Sequence, residues 1–336
     1  MDKMYLGIDT SNYTSSIAVV DSHGNIVYRE EILLDVRNNN CGLRQSDAYY
    51  QHTFNLPMMI ESMSDRIELS EIASIGISVK PRPYISSYMP VFMAAYNTAS
   101  VISSLQGNDL RYYTHQDGHF FASIMDSNIE SFRGCNNLCI HLSGGTTEFI
   151  KYRIDDNKIS SEILLSSLDI SFGQLIDRIG VASKLSFPCG KEMDRISSEC
   201  REDVKTFFKP TIRNKGINIS GLENKFKKMI KDGNDVSLVY KSIFHNISEA
   251  LVYLIHELLE NYEFENIVFV GGVSSNSVIM EKVGSHDFGK SKIIFGKKEN
   301  LRDNAAGIAY MNYLGVEYCD TRWQKDFKEN YRRSKE

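Results

Sequence analysis

The stretch NLCIHLSGGTTEFIKYRIDDNKISSEILLSS, residues 137–167, reads as three strands joined by two turns. A short apolar run ends at Ser143-Gly144-Gly145, a β-branched and aromatic run follows, and Asp-Asp-Asn reverses it into a third run. The same order stands at the start of the chain. MYLGIDTSNYTSSIAVVDSHGNIVYREEI, residues 4–32, is a strand, a polar turn, a second strand, a Ser-His-Gly-Asn turn and a third strand. Each meander then gives way to helices. After the first come a helical pattern over 46–67, a strand at 72–79, a Pro-rich loop, a helix over 91–106, and the strand DLRYYTH running into the helix HQDGHFFASIMDS. After the second come helices across 172–260, broken by SFPCGKEMD and NKGINISG. Then follow the strand-turn-helix ENIVFVGGVSSNSVI, the strand KIIFG and the helix RDNAAGIAYMNYLG.

The repeat predicts an α/β chain of two lobes, and a length of 336 residues is right for about two domains. The first lobe is expected over 1–130, with 305–336 packing back on it. The second is expected over 131–304, with a helical insertion at about 172–260. Residues 320–336 are polar and mixed in charge, which predicts a surface tail. The duplicated strand-turn-meander-helix pattern resembles the actin, Hsp70 and sugar-kinase superfamily. That resemblance implies a duplicated two-lobe fold with inserted helices in the second lobe and a nucleotide held between the lobes.

Composition narrows the function classes. With 42% hydrophobic residues the chain can fill a large core, which excludes a disordered chain or a disulfide mini-protein. A formal charge of −5 excludes nucleic-acid binding by bulk charge, so any such binding needs a local basic patch or partner subunits. The six cysteines are scattered without a CxxC pair, so a reducing cytoplasm is expected. The start MDKMYLGIDTS lacks the features of a signal peptide, and the apolar stretch LVYLIHELL is too short to span a membrane.

Three turns can meet a ligand. Gly144 and Gly145 let backbone N–H groups approach an anion, and Thr146 and Thr147 add hydroxyls. Gly271 and Gly272 lie between a strand and a helix start, a place suited to an anion or a nucleoside. GIDTSNYTSS carries Asp9 at a strand end. Any one of these is also compatible with an ordinary turn. His115 and His119 in HQDGH are sharper. At i,i+4 on a helix they share a face and can hold one zinc or iron ion. Asp303, at the head of the last long helix, is the best third ligand, whereas Asp117 points elsewhere. Two ordinary surface histidines would show the same spacing. Gln116 stands where an HExxH protease has its glutamate, so a metalloprotease lacks its base.

Together these motifs resemble the tRNA N6-threonylcarbamoyladenosine transferase family, formerly labelled O-sialoglycoprotein endopeptidase, over residues 5–315. The family's metal motif matches His115, His119 and Asp303. Its ligand-contacting Ser-Gly-Gly turn matches Ser143, Gly144 and Gly145, and its Asp-Lys/Arg pair matches Asp177 and Arg178. Its Pro-Gly-Gly-type loop matches PCGKEMD, with Gly190 and Asp194. Its GGVxxN matches Gly271, Gly272 and Asn276. Such enzymes pass a threonylcarbamoyl group from threonylcarbamoyl-AMP to N6 of the adenosine 3′ of a tRNA anticodon and release AMP.

The resemblance thus implies one divalent metal ion (Fe or Zn), threonylcarbamoyl-AMP or ATP/AMP and tRNA as ligands, and partner proteins. The chain departs from the pattern at KPRPYISSYMP, where the family has a Gly-Pro-Gly-rich loop, at TSNYTSS, at Thr146, and at Cys189 and Lys191. These departures suit a divergent, Gram-positive-type paralogue. Two other functions follow from them: a non-catalytic nucleotide-binding scaffold or regulator, or a small-molecule carbamoyltransferase. Related ATPases open the second phosphate turn with an aspartate. Here that position is His141, which disfavours simple ATP hydrolysis.

Overall fold

A computed structural model describes residues 3–36, 43–297, 299–300 and 304–333. The chain forms two compact units. One comprises Met1–Ile129, Ile154–Ser160 and Arg302–Glu336, the other Glu130–Arg153 and Ser161–Leu301.

The first unit opens with β1 (Met4–Thr10), β2 (Thr14–Val20) and β3 (Ile26–Leu33), an antiparallel meander. Next come α1 (Gln45–Ser64), β4 (Ile72–Lys80), α2 (Met93–Gln106), β5 (Asp109–Thr114) and α3 (His115–Ile124). The sheet order is β3-β2-β1-β4-β5, with β4 parallel to both β1 and β5. Parallel neighbours need crossovers, which α1 and α2 supply.

In the second unit the order recurs. The strands β6 (Asn136–Leu142), β7 (Thr147–Asp155) and β8 (Lys158–Ser167) are consecutive neighbours in the sheet. The insertion holds α4 (Phe172–Ala182), α5 (Gly190–Ser197), α6 (Ser220–Lys231) and α7 (Val236–Leu259). It is not wholly helical. The short strands β9 (Ile212–Arg213) and β10 (Gly216–Ile217) form a hairpin, and β10 extends the sheet beside β8. Asn214 and Lys215 turn that hairpin with φ of 49° and 59°, the left-handed conformation a two-residue turn requires. After α7 come β11 (Asn266–Val270), α8 (Ser277–Gly284) and β12 (Lys292–Phe295), with β11 parallel to β6 and β12. Along β6 the side chains alternate. Leu138, Ile140 and Leu142 join a core built with α4, α7 and β11, while Asn137, Cys139 and His141 take the other face.

The chain then returns to the first unit with α9 (Asn304–Leu314), β13 (Glu317–Tyr318) and α10 (Arg322–Arg333). α9 is alanine-rich, and Ala305, Ala306 and Ala309 form a small core with Ala18 and Val20 of β2. Small side chains let it lie close to the sheet. Residues 320–336, expected to be a surface tail, instead carry a docked helix. Trp323 and Phe327 are buried, Trp323 edge-on to Tyr318 at 4.9 Å and Phe327 against Tyr96 at 5.4 Å. The high charge of this stretch hides an i,i+4 apolar pair on one helix face. No helix among the described residues is long and apolar enough to cross a membrane.

Candidate functional site

In the first unit the site starts at the carboxyl end of β1. Asp9 is buried and accepts a hydrogen bond from Ser78 of β4. His115, the first residue of α3, places Nδ1 3.0 Å from Asp9 Oδ1 and 3.1 Å from Oδ2. A carboxylate there favours the tautomer with the proton on Nδ1 and leaves the Nε2 lone pair for a further partner. The side-chain nitrogen of Asn304, at the head of α9, lies 3.0 Å from that Nε2 and 2.6 Å from Nδ1. One turn along α3, the His119 ring is edge-on to His115 with centroids 4.8 Å apart. The two imidazoles therefore share a face, as their spacing predicts.

What aims α3 is a set of buried contacts at its start. Thr114 caps the helix, and Asp117 accepts hydrogen bonds from the Thr114 hydroxyl and, at 2.6 Å, from Tyr318 of β13. Burial and the adjacent Asp117 carboxylate raise the Tyr318 hydroxyl well above its ordinary range, so it remains a donor. Asp117 is thus engaged in the scaffold, as its position between the histidines suggests. The Gln116 N–H donates to Pro81 O at 3.0 Å, which ties the Pro-rich 80–90 loop to the same helix end. Along the helix, α3 and α9 meet backbone to backbone. A Cβ on Gly307 would stand 1.9 Å from Gly118 O, so only glycine fits that crossing.

Asp303 lies outside the described residues. Asn304, the first described residue of α9, reaches His115. Among the described residues alone, no group of three or more His, Cys, Asp or Glu side chains could hold a metal ion. The donor chemistry nonetheless fits one: two imidazoles on one face, with a carboxylate orienting His115 from behind.

In the second unit the expected nucleotide-side residues are tied by separate contacts to the elements around them. The Ser143-Gly144-Gly145 turn closes on itself, the Ser143 N–H donating to Thr146 O at 2.9 Å. It rests on the start of α4, where the Ser171 hydroxyl donates to Gly144 O at 2.9 Å and the Phe172 N–H to the Thr147 hydroxyl at 2.9 Å. A Cβ on Gly173 would fall 2.2 Å from Ser143 O, whereas one on Gly144 or Gly145 would meet open space. On α4, Asp177 accepts the Cys189 N–H at 2.8 Å and so fixes the loop leading to Gly190. Burial pushes the Asp177 carboxyl above the usual carboxylate range, against the pull of that N–H.

Arg178 beside it points to Glu223 at 2.9 Å. Asp194 of α5 accepts from the Ser277 hydroxyl at 2.7 Å and its N–H at 3.1 Å, and Asn276 caps α8 through the Ile279 N–H at 3.0 Å. Gly271, at φ 88°, packs against the end of β6. A Cβ there would lie 2.4 Å from Leu142 O and 3.1 Å from the His141 ring. Gly272 faces open space.

In the sequence Asp9 shows only as a polar residue at a strand end, and neither Ser78, which donates to it, nor Asn304, which reaches His115, is signalled. The pattern Leu-Gly-Ile-Asp on a strand leading into a polar turn was the available signal. What no spacing could show is that β4 and α9 bring a hydroxyl and an amide to the same point.

The fold defines the class. The chain matches the Acidaminococcus fermentans (R)-2-hydroxyglutaryl-CoA dehydratase component A with a TM-score of 0.56 at 11% identity, over 93% of this chain and 98% of that one. It matches a ROK family glucokinase from Streptomyces griseus with a TM-score of 0.51 at 12% identity, over 93% and 98%. Both likenesses concern the fold alone, the duplicated actin/Hsp70/sugar-kinase-like two-lobe α/β fold. Within that class, residues 35–310 match the family TsaD: tRNA N6-adenosine threonylcarbamoyltransferase, and the chain belongs to it. Relatives include the tRNA N6-adenosine threonylcarbamoyltransferases of Mycoplasma mobile, 24% identical over 92% of this chain and 97% of the other, and of Sulfurihydrogenibium sp., 27% identical over 92% and 89%.

Proposed function

We propose that this chain transfers the threonylcarbamoyl group from threonylcarbamoyl-AMP to N6 of the adenosine 3′ of a tRNA anticodon, releasing AMP. The observation that carries the proposal is the Asp9-His115-His119-Asn304 cluster in a chain of this family. His115, His119 and Asp303 would hold one divalent ion, iron or zinc. When bound, such an ion supplies Lewis-acid polarisation of the reacting carbonyl and a template for the substrate's oxygens.

The chain's own residues do the rest. Asp9 keeps the His115 proton on Nδ1 and so keeps Nε2 a donor of its lone pair. In the Ser143-Gly144-Gly145 turn the two glycines offer backbone N–H groups to the AMP portion, with Gly271, Gly272 and Asn276 on its nucleoside side. Asp177 and Asp194, which tie down the Cys189 N–H and Ser277, would face the same ligand together with Gly190. In the transfer, the N6 nitrogen forms a bond to the carbamoyl carbon and the carbon–oxygen bond to the phosphate breaks. The phosphate leaves with that electron pair, and the amine's proton passes to it or to water. An aromatic amine is a weak nucleophile, so holding it in line with the carbonyl contributes much of the rate.

This reading puts the chain in the cytoplasm, working on tRNA with partner proteins. The direct test supplies the full chain with synthetic threonylcarbamoyl-AMP, tRNA and the host's partner proteins, and measures N6-threonylcarbamoyladenosine by mass spectrometry. Product that depends on His115 and His119 is expected; none from the wild-type chain overturns the proposal. The divergent 80–90 loop, anchored to α3 through Pro81, favours a second reading as a nucleotide-binding scaffold. A scaffold would keep its cellular role in a His115→Ala/His119→Ala variant.

A further inference from the structure

Away from both clusters, residues 204–222 carry four cations, Lys205, Lys209, Arg213 and Lys215, and no carboxylate, in a chain whose net charge is −5. The segment wraps into the β9–β10 hairpin and borders an open cleft of about 280 Å³ lined by Phe208, Lys209, Thr211, Arg213 and Asn218. Lys215 is balanced by Glu162 at 3.1 Å. Lys209 and Arg213 have no carboxylate partner among the described residues, and Lys209 sits 4.4 Å above the Tyr253 ring. The cleft therefore joins two cations without a carboxylate partner among the described residues, a hydroxyl and an amide able to donate hydrogen bonds, and the Phe208 ring. This combination suits phosphodiester groups with bases beside them.

We infer that this cleft docks the backbone phosphates of RNA, with Lys209 and Arg213 each neutralising one phosphate and Thr211 and Asn218 donating hydrogen bonds. The choice of RNA as the polyanion rests on the tRNA reading above. It also answers the charge problem set by the composition, since an acidic chain that binds nucleic acid needs a local basic patch.

The test is tRNA binding by the full chain, measured by fluorescence anisotropy across a salt series, for wild type and for Lys209→Glu/Arg213→Glu. Both residues are exposed, so the fold tolerates the change. A Lys290→Glu/Lys292→Glu control makes the same charge change elsewhere on the second unit. Expected are a loss of at least about tenfold in affinity and a log–log salt slope shallower by about 1.5, from two lost phosphate contacts. The control is expected to change affinity by less than about threefold.

No tRNA binding by the wild-type chain, an unchanged affinity and slope in the cleft variant, or an equal loss in the control would each overturn the inference. So would loss of an acidic protein partner with tRNA binding intact. Binding and modification fail separately. A wild-type chain that binds tRNA through Lys209 and Arg213 but forms no product sinks the transfer reading alone. A cleft variant that modifies tRNA with wild-type KM sinks this one alone.

Discussion

The two units build the same strand order and put opposite materials at its first turn. In the first, β1 ends in Asp9 and Thr10, and the turn beyond it is held by side chains. The Ser15 hydroxyl is 2.7 Å from His52 Nδ1, and His52 Nε2 reaches Ser11 O at 2.7 Å, with Ser15 and His52 buried. In the second, β6 ends in His141 and Leu142, and the turn is Ser-Gly-Gly with open space over both glycines. One duplicated topology thus supplies a carboxylate that orients an imidazole and, separately, bare backbone that can face an anion. The helices behind the turns show the reverse economy. At Gly307 and Gly173 the chain has no room for a single carbon, because there backbone meets backbone.

Breaking the comparison should start at Gly307. Gly307→Ala drives a methyl into Gly118 O and parts α3 from α9, with an expected loss of about 3 kcal/mol or more by denaturant unfolding and release of bound metal. Gly173→Ala is next, at about 1–3 kcal/mol, with weakened AMP binding by calorimetry. If the Ser-Gly-Gly turn instead depends on its own glycines for stability, Gly144→Ala would cost as much. It is expected to change stability by less than about 0.5 kcal/mol while still weakening AMP.

Between these lies Tyr318→Phe. It strips a hydrogen bond from buried Asp117 and should cost about 1–3 kcal/mol, while Phe at Tyr50, exposed on α1, should cost nothing measurable.

His52 makes the stability of the first unit depend on pH. Burial pushes its imidazole below the ordinary value of 6.5, against the pull of the Ser11 carbonyl, so the folded state holds it neutral. A depressed histidine gives stability that is complete above 6.5 and is lost as pH falls through its folded value. His52→Gln should therefore flatten the acid limb of stability against pH below 6.5, by up to about 1.4 kcal/mol per pH unit. An unchanged limb would mean that His52 charges freely in the fold.

Much of the architecture was legible because both meanders alternate apolar and polar residues between turn-forming clusters, and because HQDGH fixes two imidazoles on one helix face by local geometry. What escaped depended on distant chain. The hydroxyl of Ser78 and the amide of Asn304 are 69 and 189 residues from the groups they serve. The final helix was hidden by its charge, since Trp323 and Phe327 are few among lysines and arginines and their burial is decided by Tyr96, Tyr112 and Tyr318. The β9–β10 hairpin was hidden by its brevity, two residues a strand.

The placement of α9 sets a timetable for biosynthesis. This helix walls the first sheet and reaches His115, yet it is encoded after the whole of the second unit. A ribosome-bound chain can finish the second unit while the first still lacks its last wall, so His115 acquires its amide neighbour only once residue 304 has been made. Until then the imidazole pair on α3 stands without that neighbour.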